Sequence, residues 1–280
     1  MKFSLLALAA LILPAAAHGQ LLYGVTATSL VTIDPGTGTT TTVGSLGLAA
    51  NVIPGTLAWN PDQQALYGIA YQHNGLSVTD QLFIRINPVT GAATTITTFG
   101  AQAGGVVYDG LDYVNSLGSL VVGRGVGGGD THSTQLATIS ISGTVVNRVS
   151  TTLDNDILAY DPSHSVLYSL DPNTVGQFQK VNPMTGNFTS LGAAPSSTTG
   201  EMAYSTTANR LYALDYTLGN HNLYSIDTQG GNGPATLEST TLLTGAQVQG
   251  IAFANVPEPS EWAAVAGLGL AGWALARRRR

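Results

Sequence analysis

The chain has 280 residues, 9% of them charged, with 34 glycines, no cysteine and a formal net charge of −6. The lack of cysteine excludes a disulfide framework, thiol catalysis and Cys-based metal sites. Between residues 18 and 255 only Arg85, Arg124, Arg148, Lys180 and Arg210 stand against 14 acidic residues, a balance of −9 that repels nucleic acid phosphates.

Lys2, an apolar run from Phe3 to Leu13, Pro14 and then Ala15-Ala16-Ala17 form a charged n-region, an h-region and a small-residue cleavage site. This predicts a signal peptide over residues 1–19, cut after Ala17 or Gly19, and an exported body over 20–255. A body of that size buries enough surface to fold without disulfides.

The body is a repeat. An apolar-small-aromatic element recurs at Leu57-Ala58-Trp59, Val106-Val107-Tyr108, Leu158-Ala159-Tyr160, Met202-Ala203-Tyr204 and Ile251-Ala252-Phe253. A second element follows at Leu66-Tyr67, Leu120-Val121, Leu167-Tyr168 and Leu211-Tyr212. A third alternating run enters a turn at Asn87-Pro88-Val89-Thr90-Gly91, Asn182-Pro183-Met184-Thr185-Gly186 and Asp227-Thr228-Gln229-Gly230, and a fourth run follows each turn. Asn or Asp opens such a turn by bonding its own backbone, Pro presets φ, and Gly closes it where φ is positive. Four short antiparallel strands per unit match a β-propeller blade. The N-terminal region supplies a second, third and fourth element (Leu22-Tyr23, Leu30 to Ile33 before Asp34-Pro35-Gly36-Thr37-Gly38, Thr40 to Leu46), whereas Gly250 to Ala254 supplies a lone first element. The two ends complete one blade. The expected fold is therefore all-β, a five-bladed β-propeller closed by its N- and C-terminal strands, with a β-sandwich of the same hairpins as the alternative.

In that topology the loops after second and fourth strands share one face, and the loops after first and third strands share the other. The longer loops on the first face carry Tyr71, His73, Asp130, His132, Asp215, Tyr216 and His221, the expected ligand-binding face. Asp156 and Glu201, each at the start of a first strand of adjacent blades, are the pair to test for glycoside hydrolysis, which needs two carboxyl groups across a sugar. Asp154-Asn155-Asp156 and Asp109-Gly110-Leu111-Asp112 offer oxygens to Ca²⁺ but lack the spaced calcium-loop pattern. The Gly123 to Gly129 run lacks the Lys-Ser/Thr and helix of a phosphate loop. The histidines lack metal spacing, and no Gly-x-Ser-x-Gly occurs. The expectation is no cofactor, no metal and no catalysis. Asn187-Phe188-Thr189 is a lone glycosylation sequon.

The last 25 residues have three parts: Val256-Pro257-Glu258-Pro259-Ser260, an uncharged stretch from Trp262 to Ala276, and Arg277-Arg278-Arg279-Arg280. As a helix, residues 262–276 span roughly 22 Å at about 1.5 Å per residue, short of the ~30 Å hydrocarbon core by an amount that bilayer thinning and arginine snorkelling reduce. The arginines predict a cytoplasmic C-terminus and everything upstream outside. Ala263, Gly267 and Ala271 provide a close-packing stripe. This order and spacing resembles a PEP-CTERM sorting domain over residues 256–280. The resemblance implies that a membrane-embedded exosortase recognises Pro257-Glu258-Pro259 and processes the chain there, in a bacterium that makes exopolysaccharide. The expected partners are thus exosortase and the export machinery, the membrane through residues 262–276, and an exopolysaccharide or other glycan. The function expected is a non-catalytic binding or structural module of the cell surface or matrix. The alternatives are a secreted carbohydrate-active hydrolase and, given a deep apolar pocket, a small-molecule sensor.

Overall fold

The computed structural model describes residues 19–75, 77–100, 106–126, 135–151, 155–171, 177–193, 199–215, 221–228, 236–245 and 247–255. The signal segment before Gly19 and the whole of residues 256–280, including the expected membrane helix, lie outside them. Among the described residues no helix is long and apolar enough to cross a membrane.

Alternating apolar residues and regular turns fold Gln20–Ala254 into one compact unit of five antiparallel sheets. Blade 1 pairs β21 (Gly250–Asn255) with β1 (Gln20–Val25), β2 (Ser29–Ile33) and β3 (Thr40–Ser45), so the two chain ends share a sheet as expected. Blade 2 has β6 (Ala65–Asn74), β7 (Ser77–Ile86) and β8 (Ala93–Thr98). Its inner strand is broken into β4 (Val52–Pro54) and β5 (Ala58–Asn60), both paired to β6, and between them the N–H groups of Gly55 (2.9 Å) and Thr56 (3.4 Å) both donate to Ile69 O, which interrupts the ladder. Blade 3 is β9 (Val106–Val114), β10 (Ser119–Val126), β11 (Gln135–Ile139) and β12 (Val145–Ser150). Blade 4 is β13 (Ile157–Asp161), β14 (Val166–Asp171), β15 (Gln177–Val181) and β16 (Phe188–Ala193). Blade 5 is β17 (Thr199–Ser205), β18 (Arg210–Asp215), β19 (Asn222–Asp227) and β20 (Thr236–Leu242). The inner strands adjoin in ring order, β5 with β9, β9 with β13 and β13 with β17.

The turn chemistry holds in detail. Asn87 Oδ1 accepts the N–H groups of Val89 (2.8 Å) and Thr90 (3.2 Å), Asn182 Oδ1 those of Met184 (2.8 Å) and Thr185 (3.2 Å), and Asp34 Oδ1 those of Gly36 (2.8 Å) and Thr37 (3.3 Å). The closing glycines Gly38, Gly91 and Gly186 have φ of 71°, 77° and 72°. The same device closes the first-to-second-strand turns at Asn60 and Asp161.

Blade 3 departs from its expected register. The aromatic residue that pairs with the start of the second strand is Tyr113, opposite Leu120, just as Trp59 pairs with Leu66, Tyr160 with Leu167 and Tyr204 with Leu211. The repeat unit there is Leu111-Asp112-Tyr113, not Val106-Val107-Tyr108. Asp109-Gly110 is no turn: Gly110, at φ 52°, takes up a bulge within β9, and the strand continues to Val114 before turning at Asn115–Leu117.

Hydrophobic cores lie between neighbouring blades. Tyr67 stacks on Phe83 (5.5 Å) in blade 2, and Tyr168 stacks on Phe178 (5.6 Å) in blade 4, the same two repeat positions. Tyr168 also reaches Tyr204 of blade 5 (6.4 Å). Burying such rings stabilises by about 2–3 kcal/mol each, beyond which stacked pairs add about 1 kcal/mol.

Ring closure has its own polar latch. Gln20 donates Nε2 to Thr206 Oγ1 (3.2 Å), and its Oε1 accepts from Ser205 Oγ (2.6 Å) and Thr207 N–H (3.3 Å). On the perimeter Thr244 N–H donates to Gly38 O (3.0 Å) and Thr40 Oγ1 to Thr244 O (2.9 Å). Removing the first latch by Gln20→Ala is expected to lower stability by about 1–2 kcal/mol, read as a lower urea midpoint at unchanged slope.

Candidate functional site, the acidic end of the central channel

Inner strands crowd one another near the axis, and the second residue of each repeat element must be small. Four blades carry Ala there, Ala58, Ala159, Ala203 and Ala252, all at most 4% exposed. Blade 3 carries Asp112. Its Oδ2 accepts the Tyr160 N–H from β13 of the next blade (2.6 Å) and its Oδ1 the Tyr113 N–H (2.7 Å). Burial pushes this carboxyl up to about 7, against the two N–H groups that favour its charge.

Glu201, near the start of β17, is 3% exposed, and its Oε2 has no hydrogen-bond partner among the described residues. Desolvation raises its carboxyl well above the usual range. The charges of Asp109, Asp112 and Asp156 raise it further, opposed by a hydrogen bond from the Met202 N–H. Tyr71 comes from the far end of β6. Its ring lies over Gly55, where a Cβ would stand 2.4 Å from the ring edge. Its hydroxyl lies 2.8 Å from Asp109 Oδ1 and 2.9 Å from Tyr108 O, to which it donates. Burial and the charges of Asp109, Glu201 and Asp156 hold this phenol well above 10. Tyr71, Asp109, Asp156 and Glu201, from blades 2, 3, 4 and 5, thus lie toward the starts of the inner strands, with Asp112 deeper along β9 and its charge acting on Glu201. Asp156 and Glu201, the pair read from sequence, do act on each other electrostatically.

The expected ligand face resolves unevenly. Tyr71 belongs to the acidic mouth. His73 sits in a β6–β7 hairpin rather than an irregular loop; its N–H donates to Asn51 O (2.8 Å), and Asn51 Nδ2 donates to its carbonyl (3.0 Å). Asp215 is buried and accepts from Tyr224 Oη (2.6 Å), within blade 5. His221 Nδ1 lies 3.0 Å from Val248 O, at the junction of blades 5 and 1. Asp130, His132 and Tyr216 lie outside the described residues, as do Val256 to Ser260 and Arg277 to Arg280. The same face carries a cleft of about 390 Å³ in blade 1, lined by hydroxyls and amides including Thr26, Thr28, Ser29, Gln247 and Gln249.

Asn155 does not offer its oxygen to an ion. It is fully buried, donates Nδ2 to Thr151 Oγ1 (2.6 Å) and accepts from Ser169 Oγ (3.1 Å). Among the described residues no three His, Cys, Asp or Glu side chains are placed to hold a metal ion. Sequence reading reached Asp109 and Asp112 only as oxygens offered to Ca²⁺, not as part of an acidic channel mouth. The available signal was an acid where every other blade has alanine.

No family model and no curated protein matches the chain. Solved structures do. A chain of a nidogen/laminin complex superposes with a TM-score of 0.54 at 13% identity, covering 84% of this chain and 98% of that one. TolB from Acinetobacter baumannii gives 0.50 at 13%, covering 84% and 66%. An oxidoreductase (glucose dehydrogenase) from Thermus thermophilus gives 0.47 at 12%, covering 80% of each. At such identities the first two likenesses show the propeller fold alone, and fold does not decide function.

Proposed function

We propose that the chain is an exported propeller acting as a non-catalytic binding module of the cell surface or extracellular matrix, tethered through residues 262–276 until processing at Pro257-Glu258-Pro259. The supporting observation is the contrast between its two faces. One holds short, self-bonded turns, and the chain leaves the ring on it. Gly250 packs on Thr56 and Leu57, where a Cβ would stand 2.9 Å from the Thr56 carbonyl carbon, so β21 starts beside the start of β5 and ends at the turn face. The other face holds the acidic mouth and the polar cleft, and on this reading it points away from the membrane.

Expression of the full chain in a host with an exosortase tests the proposal. A propeller released from the membrane fraction by wild type but retained by Pro257→Ala/Glu258→Ala is the expected result. Equal release of both would overturn the sorting role. A second reading is a hydrolase in which Glu201 serves as general acid and Asp156 as its partner. It is favoured by the burial that keeps the Glu201 proton on, which a general acid needs. Release of reducing ends from exopolysaccharide, lost in Glu201→Gln and Asp156→Asn, would establish it; binding without turnover is expected.

A further inference from the structure

We propose that the turn face of the propeller docks on a lipid bilayer and seats a ring of apolar side chains in its interface. The choice of a bilayer as partner rests on the tethered reading above; the apolar face itself does not.

Exposed apolar side chains gather at that face. Among the described residues eight large ones are exposed, and all but Leu242 lie at the turn-face end. Three are tips of third-to-fourth-strand turns in consecutive blades: Val89 between β7 and β8 (75% exposed), Ile141 between β11 and β12 (50%) and Met184 between β15 and β16 (55%). Four more are the first or second residues of strands that start from this face: Leu21 on β1, Val146 on β12, Phe188 on β16 and Leu237 on β20. All five blades contribute. A single exposed apolar residue is ordinary, but one or more on every blade, all toward one end, make an apolar face.

The tips are held in place before any partner arrives. The Asn87 and Asn182 side chains accept the N–H groups of Val89 and Met184 (2.8 Å each). Beside Ile141, Ser140 Oγ accepts the Thr144 N–H (3.0 Å), and Gly143 N–H donates to Ser140 O (2.8 Å). Little conformational freedom is therefore lost when these side chains are seated.

Chain length points to the partner. β21 ends at Asn255 on the turn face, and six residues, 256–261, precede the uncharged stretch that begins at Trp262. A chain of that length spans at most about 20–25 Å. A bilayer entered by residues 262–276 is thus within reach of the turn face, at a high effective concentration set by the short connection. Charge does not select an anionic surface. Arg85, Lys180 and Arg210 lie at this end, but so do Asp34, Asp62, Asp161, Asp227 and Glu238, and Arg210 pairs with Glu238 (2.5 Å). The attraction is apolar, and zwitterionic lipid suffices.

The lack of cysteine permits single labels. The full chain is mixed with phosphatidylcholine vesicles whose acyl chains carry bromine, after Val89→Cys, Met184→Cys or Leu242→Cys has been coupled to an environment-sensitive fluorophore. The labels at 89 and 184 are expected to be quenched and the label at 242 untouched. A vesicle-bound chain with no label quenched overturns the docking and leaves the tether standing; equal quenching at all three overturns the choice of face. Because Gln20–Ala254 is a compact unit holding all five sheets, the tail can also be removed. With residues 256–280 deleted, flotation is expected to show weak vesicle binding. Val89→Ser/Ile141→Ser/Met184→Ser is expected to lower it about 10–100-fold at an unchanged urea midpoint. Binding undiminished in that variant overturns the proposal. A full chain that binds no better than the tailless one, with both weakened by the triple change, removes the tether and keeps the docking. A dimer of the tailless chain in lipid-free buffer, abolished by the triple change, would assign the face to a second copy and overturn the lipid assignment.

Discussion

Gly44→Ala is expected to destabilise the propeller by more than about 3 kcal/mol, although alanine is the mildest side chain and Gly44 has no positive φ to defend. A Cβ there would stand 2.0 Å from Thr90 O and 3.0 Å from Thr90 C, backbone atoms of the blade 2 turn. A clash with a flexible side chain relaxes cheaply, but this one must shift one blade against the next, which puts it at or beyond the usual 1–3 kcal/mol of overpacking. The contact is reciprocal, for a Cβ on Gly91 would stand 2.7 Å from Gly44. It is also repeated around the ring. A Cβ on Gly38 would stand 2.1 Å from Leu242 O, one on Gly186 2.7 Å from Ser150 O, and one on Gly143 2.3 Å from the Thr97 side-chain methyl, so each of these turns seats on the outer strand of the preceding blade. Gly75→Ala is the control: its φ is 62°, yet nothing lies within 4 Å of the added Cβ, so only the backbone cost of about 1 kcal/mol applies. Urea unfolding of the single variants and of Gly44→Ala/Gly91→Ala separates crowding from conformation. The pair is expected to cost clearly less than the sum, because either change alone opens the shared contact. If Gly44→Ala costs no more than Gly75→Ala, turn seating does not hold the blades together.

That contact explains why the fold was legible in the sequence. Each Asn/Asp-Pro-x-Thr-Gly turn has two demands at its glycine, a positive φ and a close approach to the preceding blade, and both select the same residue. Closure was legible because Leu22-Tyr23 and Gly250 to Ala254 are complementary fragments of one repeat. The register of blade 3 was hidden because Val106-Val107-Tyr108-Asp109-Gly110 imitates an inner strand and turn, while the bulge at Gly110 lets the strand run on to Tyr113. Local chemistry cannot tell a bulge glycine from a turn glycine; pairing with Leu120 does.

The site was less legible for a related reason. Its members lie on four blades, from Tyr71 to Glu201, and meet only once the ring is closed. Asp156 and Glu201 were found from their place before inner strands, a positional rule that survives without coordinates. Asp109 and Asp112 were lost with the register. His73, Asp215 and His221 were chosen for loop position and polarity. In the structure His73 bonds Asn51 through its backbone N–H and carbonyl, Asp215 accepts from Tyr224 within blade 5, and His221 Nδ1 lies beside Val248 O at the junction of blades 5 and 1.

Asp112 gives the other large expected effect, because it breaks the alanine rule at the axis. Its carboxyl is raised from 3.8 to about 7 in the folded chain. A carboxyl raised on folding contributes most below its unfolded value. That contribution is lost as pH climbs from about 4 to 7, and above the folded value the full penalty remains. Three units correspond to about 4 kcal/mol for a fully desolvated carboxyl, and Asp112, which is half-buried, contributes less. Glu201 acts in the same direction. The propeller is therefore expected to be more stable at pH 5 than at pH 8, the reverse of what salt-bridged carboxylates produce. Asp112→Ala restores the residue of the other four blades and removes the charge, together with the acceptors of the Tyr160 and Tyr113 N–H groups. At pH 5, where the carboxyl is protonated, the loss of those bonds dominates and the variant is expected to be about 1–2 kcal/mol less stable than wild type. At pH 8 the relief of a buried charge among Asp109, Asp156 and Glu201 dominates, and the variant is expected to be more stable by about 1–3 kcal/mol. Urea midpoints of both proteins across this range must therefore cross near neutrality. Parallel curves would mean that Asp112 carries an ordinary pKa and that the mouth is open to water.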